Sequence, residues 1–181
     1  ANHILDKAIE SDMSISDNIN DLVLDGGMTV AEKVLEQTGV IGEKIEVSAH
    51  IVEGVQVSSY VHAGNRLATL VGFNNKADEQ VAKDVAMQVA AMNPLSVDKD
   101  GIDQVTIDRE LEIAKDLARQ EGKPEAMLEK IAMGRLNKFY KENTLLNQGF
   151  IKESKKTVSQ YLKEQNGELS VTCFKRIGLG N

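Results

Sequence analysis

Apolar positions in this chain follow two different periods, and each change of period marks a new element. Ile4, Leu5, Ala8 and Ile9 fall at helical spacing, so residues 2–12 read as the tail of a helix. Residues 14–25 are polar apart from a short apolar patch at 22–24, and Gly26 and Gly27 break the chain. Thr29, Val30, Ala31 and Glu32 form a capping box: the Thr hydroxyl can accept from the amide three residues on, while Glu32 reaches back to the cap amide. The helix it opens is expected to run through Val34 and Leu35 to Gln37 and to stop near Gly39. The period then becomes two. Ile45, Val47, Ala49 and Ile51 point one way, as do Val55, Val57 and Val61 after a turn at Glu53 and Gly54. Residues 66–73 follow a turn at Ala63, Gly64 and Asn65. Alternation between glycine-bearing turns predicts a three-stranded antiparallel meander, one face of which packs on helices.

Helical spacing returns over residues 77–92, where Val81, Val85, Val89 and Met92 make a stripe widened by Ala82, Ala86 and Ala90. Asp78 and Glu79 suit the positive end of that helix, and Pro94 ends it. Ile107, Leu111, Ala114 and Ala118 form the next stripe, over residues 105–121. After Gly122, Lys123 and Pro124, a third stripe of Leu128, Ile131, Leu136 and Phe139 continues to about Lys141. Two long amphipathic helices joined by so short a turn fold back as an antiparallel hairpin. Gly134 inside the second costs about 1 kcal/mol against Ala, which points to close helix packing there. A second capping box, Thr157 to Gln160, opens a helix that ends over residues 164–167, before an alternating strand at 169–177. From Thr to the terminal Gln the offset is eight residues in both capped helices. The order helix, glycine stop, Gly-Glu, strand thus reads as used twice, with the hairpin inserted between the copies.

Composition narrows what such a fold can do. Of 181 residues 41% are hydrophobic and only 4% aromatic, with no Trp, so the core is aliphatic. A net charge of −7 argues against nucleic acid as the main ligand, because phosphate neutralisation needs a concentrated basic surface. The five Lys and Arg between Lys123 and Lys141 read as the solvated face of a helix. Cys173 stands alone, which excludes an intrachain disulfide and a cysteine zinc site; its alternating apolar surroundings make it a small core residue. No apolar stretch approaches the roughly 20 residues that cross a bilayer, and none reads as a signal peptide. The chain starts at Ala1, partway into a helical pattern, and is read as a fragment.

Reactive chemistry is not found. His3 lies at the edge of the chain, His50 shares a face with Ser48, and His62 shares a strand face with Gln56, Ser58 and Tyr60; by composition alone His62 is a surface residue at a strand end. No second His or Cys sits at ligand spacing, so neither metal nor cofactor is expected. The glycines at 26 and 27, at 39 and 42, and at 178 and 180 match neither a P-loop nor a dinucleotide fingerprint. Asp98, Asp100, Asp103 and Asp108 lack the calcium-loop pattern. The most distinctive run, residues 122–151, offers no nucleophile, base or phosphate loop, which favours a protein that binds a partner over one that transforms a substrate.

The accumulated residues resemble translation elongation factor Ts, the nucleotide-exchange factor of elongation factor Tu. The match spans nearly the whole chain. It is strongest at Asp84-Val-Ala-Met-Gln-Val-Ala-Ala-Met-Asn-Pro94, Glu121-Gly-Lys-Pro-Glu125, Glu129-Lys-Ile-Ala-Met-Gly-Arg-Leu-Asn-Lys-Phe139 and Leu145-Leu-Asn-Gln-Gly-Phe150. Weaker support comes from Ser59-Tyr-Val-His62 and from residues 174–180. The resemblance implies two similar subdomains and an inserted helical hairpin, in agreement with the echo. It also implies that the GTPase domain of elongation factor Tu meets Ile41, Gly42 and His62, with Tyr60 beside His62. The segment from Phe174 would belong to a second subdomain that holds a β-domain of the partner. Two features of the family are missing: the small N-terminal helical domain, and a Thr-Asp-Phe motif that would lie just before Ala1. A helix position often held by His is Gln88 here.

The resulting expectation is an α+β fold with two related subdomains, small antiparallel sheets packed by helices, and an inserted helical hairpin. Residues 1–94 would be the first subdomain with its following helix, 95–146 the hairpin, and 147–181 the completion of the second subdomain. The expected function is that of a bacterial, cytoplasmic binding protein, not an enzyme, that promotes GDP release from elongation factor Tu. It would use no cofactor and contact no nucleic acid or membrane. Without the Phe of the missing motif, exchange would be weak. The alternative is an interaction module that self-associates, as a homodimer, through the helical hairpin.

Overall fold

Both capping boxes form, and they open helices in separate units of the chain. The computed structural model describes residues 1–14 and 17–179; Ile15 and Ser16 of the polar 14–25 stretch, and Gly180 of the C-terminal glycine pair, lie outside the described residues. Contacts divide the chain into Ala1–Ile51 and Val52–Asn181.

In the first unit, α1 (Asn2–Glu10) is tied by the Lys7 ammonium, which meets Asp25 at 2.8 Å and Glu10 at 2.7 Å. Those two carboxylates hold Lys7 well above the usual lysine range. A single helical turn at Ile19–Asp21 leads to α2 (Val30–Ile41). Its cap closes reciprocally: Thr29 Oγ1 accepts from the Glu32 amide at 3.2 Å, and Glu32 Oε2 accepts from the Thr29 amide at 2.8 Å. The helix does not stop near Gly39. It continues to Ile41, and Gly42 is the terminator: at φ 80° it takes the left-handed conformation, and its amide donates to the Thr38 carbonyl at 2.8 Å. The first alternating run, residues 45–51, forms no strand, contrary to expectation. Ala49 and Ile51 are exposed and Ile45 and Val47 only half-buried, so the run gains little by pairing.

The second unit contains, in order, β1 (Gln56–Val61), β2 (Leu67–Phe73), α3 (Glu79–Met92), α4 (Gln104–Gln120), α5 (Glu125–Asn143), β3 (Gly149–Phe150), β4 (Glu153–Thr157), α6 (Val158–Gln165) and β5 (Val171–Gly178). The meander is therefore a hairpin, and its third strand comes from the far end of the chain: the sheet order is β1-β2-β5, antiparallel throughout. β5 lies along the edge of β2. β3 and β4 pair in a separate small ladder. The architecture is α+β, with small antiparallel sheets packed by helices.

One sheet face and α3 enclose the core. Val71, Phe73 and Val171 meet Val81, Val85 and Val89, and Leu145, Phe150, Val158, Leu162 and Leu169 close it. The alternation of β1 is as read, but its valine face is the outer one: Val57 and Val61 are exposed while Gln56, Ser58 and Tyr60 turn inward. The inward polar groups are used. Gln56 Oε1 accepts from the Ala77 amide at 2.8 Å at the start of α3, and Tyr60 packs on the core. Cys173 is not a core residue. It is half-exposed on the outer face, paired with Gly72, and its thiol donates to the Glu53 carbonyl at 3.2 Å. Gly72 admits that approach, since a Cβ there would overlap the same carbonyl.

α4 and α5 form the expected antiparallel hairpin. Ala114 and Ala118 are buried on one helix, Leu128, Ala132 and Leu136 on the other. Ion pairs lace the seam, Lys115 with Glu129 at 3.1 Å and Arg135 with Glu121 at 2.6 Å. Gly134 does not serve close packing: it is exposed, and a Cβ there would meet nothing within 4 Å.

Candidate partner-binding site

The turn between β1 and β2 presents an exposed imidazole, His62. The His62 amide donates to Leu67 O at 2.8 Å and Asn65 N donates to His62 O at 3.0 Å, which fixes the turn. Gly64 and Asn65 both take positive φ, at 89° and 55°, residues suited to a left-handed turn. The imidazole is exposed yet held: Tyr60 Oη and His62 Nδ1 are 2.9 Å apart, and the rings lie 6.0 Å apart at 51°. With Tyr60 as donor, the ring proton sits on Nε2, leaving a donor for an outside acceptor.

Tyr60 is itself anchored. It pairs with Thr69, which pairs with Arg176 of β5, so the three form a row across the inner face. Thr69 Oγ1 donates to the Ala86 carbonyl at 2.8 Å and Arg176 Nε to the Ala90 carbonyl at 3.2 Å. The second half of α3 thus braces the sheet row that holds His62, an arrangement that orients an exposed side chain at little entropic cost. Phe174, paired with Val71, packs half-buried against the core. Its strand neighbours Ile177 on the outer face and Leu179, which is exposed, are better placed to be touched.

Ile41 and Gly42 belong to the first unit. Ile41 ends α2 as an exposed apolar residue beside the more exposed Val40, and Gly42 has open space around it. The backbone of Gly42 is therefore accessible to an outside group.

The sequence reading put Tyr60 and His62 on one face, as found, but missed the polar centre of the unit. Gln88 and Asp84 sit one turn apart in the α3 stripe and are both buried. Asp84 receives Lys152 Nζ at 2.7 Å and Gln80 Nε2 at 2.6 Å. Tyr161 stacks on Phe150 with ring centroids 4.1 Å apart; burial, then the nearby Asp84 carboxylate, raises its phenol above the usual range. Two polar residues four apart inside an apolar stripe were the available signal. Among the described residues no cluster of His, Cys, Asp or Glu is suited to a metal ion, and no helix is long and apolar enough to cross a membrane.

Comparison with known proteins gives this geometry a family. The sequence model of elongation factor Ts matches residues 1–181. This chain belongs to the elongation factor Ts family. It is similar to elongation factor Ts of Flavobacterium psychrophilum, 54% identical over 157 residues, covering 85% of this chain and 57% of the relative. Elongation factor Ts of Porphyromonas gingivalis is 44% identical over 178 residues, covering 98% of this chain and 65% of the relative. The Amoebophilus asiaticus protein of the same name is 46% identical over 184 residues, covering 99% and 66%. The chain thus spans about six-tenths of the length of the curated relatives it matches. Within the elongation factor Ts family, the α3 stripe, the α4–α5 turn, the middle of α5 and the segment entering β3 are the blocks on which the sequence resemblance was strongest.

Proposed function

We propose that this chain is a binding protein that promotes release of GDP from elongation factor Tu in the bacterial cytoplasm, without itself making or breaking bonds. Family membership supports the partner. The observation that carries the site is the braced, exposed imidazole: Tyr60 holds His62 at 2.9 Å at the tip of the β1–β2 turn. Ile41 and Gly42 would supply a second contact, apolar and backbone, from the end of α2. The Phe174 segment would supply a third through Ile177 and Leu179, with the Phe174 ring holding the strand in place. The earlier partition into residues 1–94, 95–146 and 147–181 is kept as a proposal about how these contacts are distributed.

Exchange by binding energy is reciprocal. If the chain weakens GDP on the GTPase, GDP must weaken the chain by the same factor. The test is release of a fluorescent GDP from elongation factor Tu, with the dissociation constant of the nucleotide-free complex measured in parallel. The parent should accelerate release. His62→Ala and Ile41→Ala should each weaken the complex by about 1–2 kcal/mol, roughly tenfold, while leaving thermal unfolding unchanged. Unaltered affinity in both variants would sink the site assignment.

A second reading, homodimerisation through the hairpin, is favoured by exposed Ile113 and Leu117 on α4 and Met127 and Met133 on α5. Sedimentation of the chain with and without residues 105–141 separates the two. If self-association disappears while GTPase binding survives, the hairpin is an accessory; if GTPase binding is lost, the sites near His62 and Ile41 are wrong.

A further inference from the structure

Two chain crossings join the α4–α5 hairpin to the rest of the second unit, and backbone hydrogen bonds zip them together. Leu95 N donates to Asn143 O at 2.8 Å, Leu145 N to Ser96 O at 2.9 Å and Leu146 N to Val97 O at 2.9 Å. Leu145 is fully buried behind this zipper. A zipper alone would hold the hairpin by its root and still allow it to swing.

The side chains around the root remove that freedom. Gln148, 1% exposed, uses one amide group to reach two helices: Nε2 donates to Glu142 O at 2.9 Å in the last turn of α5 and to Met92 O at 3.4 Å at the end of α3. The main-chain carbonyl of Gln148 accepts from Val158 N at 3.0 Å, the first residue of α6. Gln88, fully buried on α3, locks Gln148 in turn. Gln88 Nε2 lies 3.2 Å from both Gln148 Oε1 and Gly149 O, and Gln88 Oε1 accepts from Ile151 N at 2.9 Å. No buried side-chain polar atom among the described residues lacks a partner. A swing of the hairpin would have to break the bonds that the buried Gln148 amide makes to Glu142 and Met92 and leave that amide short of partners.

We infer that the hairpin is a rigid arm whose direction relative to the β1-β2-β5 sheet is set by the buried Gln88–Gln148 amide pair. The pair is a conformational key: its side chains join α3, α5 and the β3–β4 ladder at one point. A molecule gripping the arm near Lys123 would then be presented at one fixed position relative to that sheet. The inference does not depend on the partner proposed above.

Distance measurement between spin labels tests it. Labels at Lys123→Cys, in the exposed turn between α4 and α5, and Lys163→Cys, exposed on α6, are placed in a Cys173→Ser chain. The parent should give one narrow distance. Gln148→Leu, and the double variant Gln88→Leu with Gln148→Leu, should lose that single distance while their circular dichroism stays helical. A broad distribution in the parent, or an unchanged narrow one in a folded double variant, overturns the inference. Should neither variant fold, amide exchange in the parent decides. The Ile151 amide, whose acceptor is the Gln88 side chain, should exchange only through global unfolding; exchange through local opening overturns it.

Discussion

α2 and α6 start from the same local instruction and arrive in different surroundings. Each is opened by a Thr whose hydroxyl accepts at 3.2 Å from the amide three residues on, and each receives the reciprocal side-chain bond. α6 then buries Val158 and Leu162 in the core of the second unit. α2 buries only Val30, and Leu35, Val40 and Ile41 stay exposed. The capping box therefore specifies where a helix begins and says nothing about what it packs on. The helix with the empty flank carries a proposed contact, Ile41; the helix with the filled flank carries none.

Leucine truncation breaks the comparison most sharply. Leu162→Ala should destabilise the second unit by about 3 kcal/mol, read from the urea midpoint, because a fully buried side chain leaves a cavity. Leu35→Ala, at a position 74% exposed, should stay within about 0.5 kcal/mol. Equal losses would mean that α2 is packed as α6 is.

Next in size is Gly72→Ala. A Cβ at this position would overlap the Glu53 carbonyl, which also accepts from Thr172 and Cys173. Backbone cannot yield as a flexible side chain does, so a loss of about 2 kcal/mol is expected in the second unit. If Gly72→Ala unfolds at the parent's urea midpoint, the close approach of Glu53 is not part of the native sheet.

How far the fold was legible follows from the same contrast. Caps, stripes and turns are local, and α3, α4, α5, α6 and the β1–β2 turn were read within a few residues of where they lie. Strand partners are not local. Residues 45–51 alternate as cleanly as 55–61, but the open edge of β2 is filled by β5, about a hundred residues later, and nothing in the alternation records that. The orientation of β1 was hidden for a related reason: Gln56 is inward because the Ala77 amide needs an acceptor there. At the site, period two alone placed Tyr60 with His62. Gln88 and Gln148 lie 60 residues apart and meet only when the hairpin closes between them.

The caps themselves supply a smaller effect that sharpens the comparison. Thr29→Ala and Thr157→Ala each remove the hydroxyl that accepts from the amide three residues on, and each should cost about 1 kcal/mol. The readouts should differ. Thr157→Ala should lower the cooperative transition of the second unit, whereas Thr29→Ala should raise amide exchange within α2 and leave that transition where it was. A shift of the second-unit transition by Thr29→Ala would show that α2 is coupled to it after all.

The smallest effect tests the end of α2, where Ile41 is displayed. Gly39 and Gly42 look alike in sequence, and the first was the expected stop. In the structure Gly39 lies inside the helix with open space around it, while Gly42 carries φ 80°. Substitution should therefore act with opposite signs. Gly39→Ala should slow amide exchange in α2, a gain of about 0.4–1 kcal/mol, because Ala fits the helical backbone and narrows the unfolded ensemble. Gly42→Ala should cost about 1 kcal/mol, since a Cβ disfavours the left-handed conformation that ends the helix. A loss at Gly39 would return the helix end to the earlier position, take Ile41 off the helix, and remove the geometric basis for its exposure as a contact.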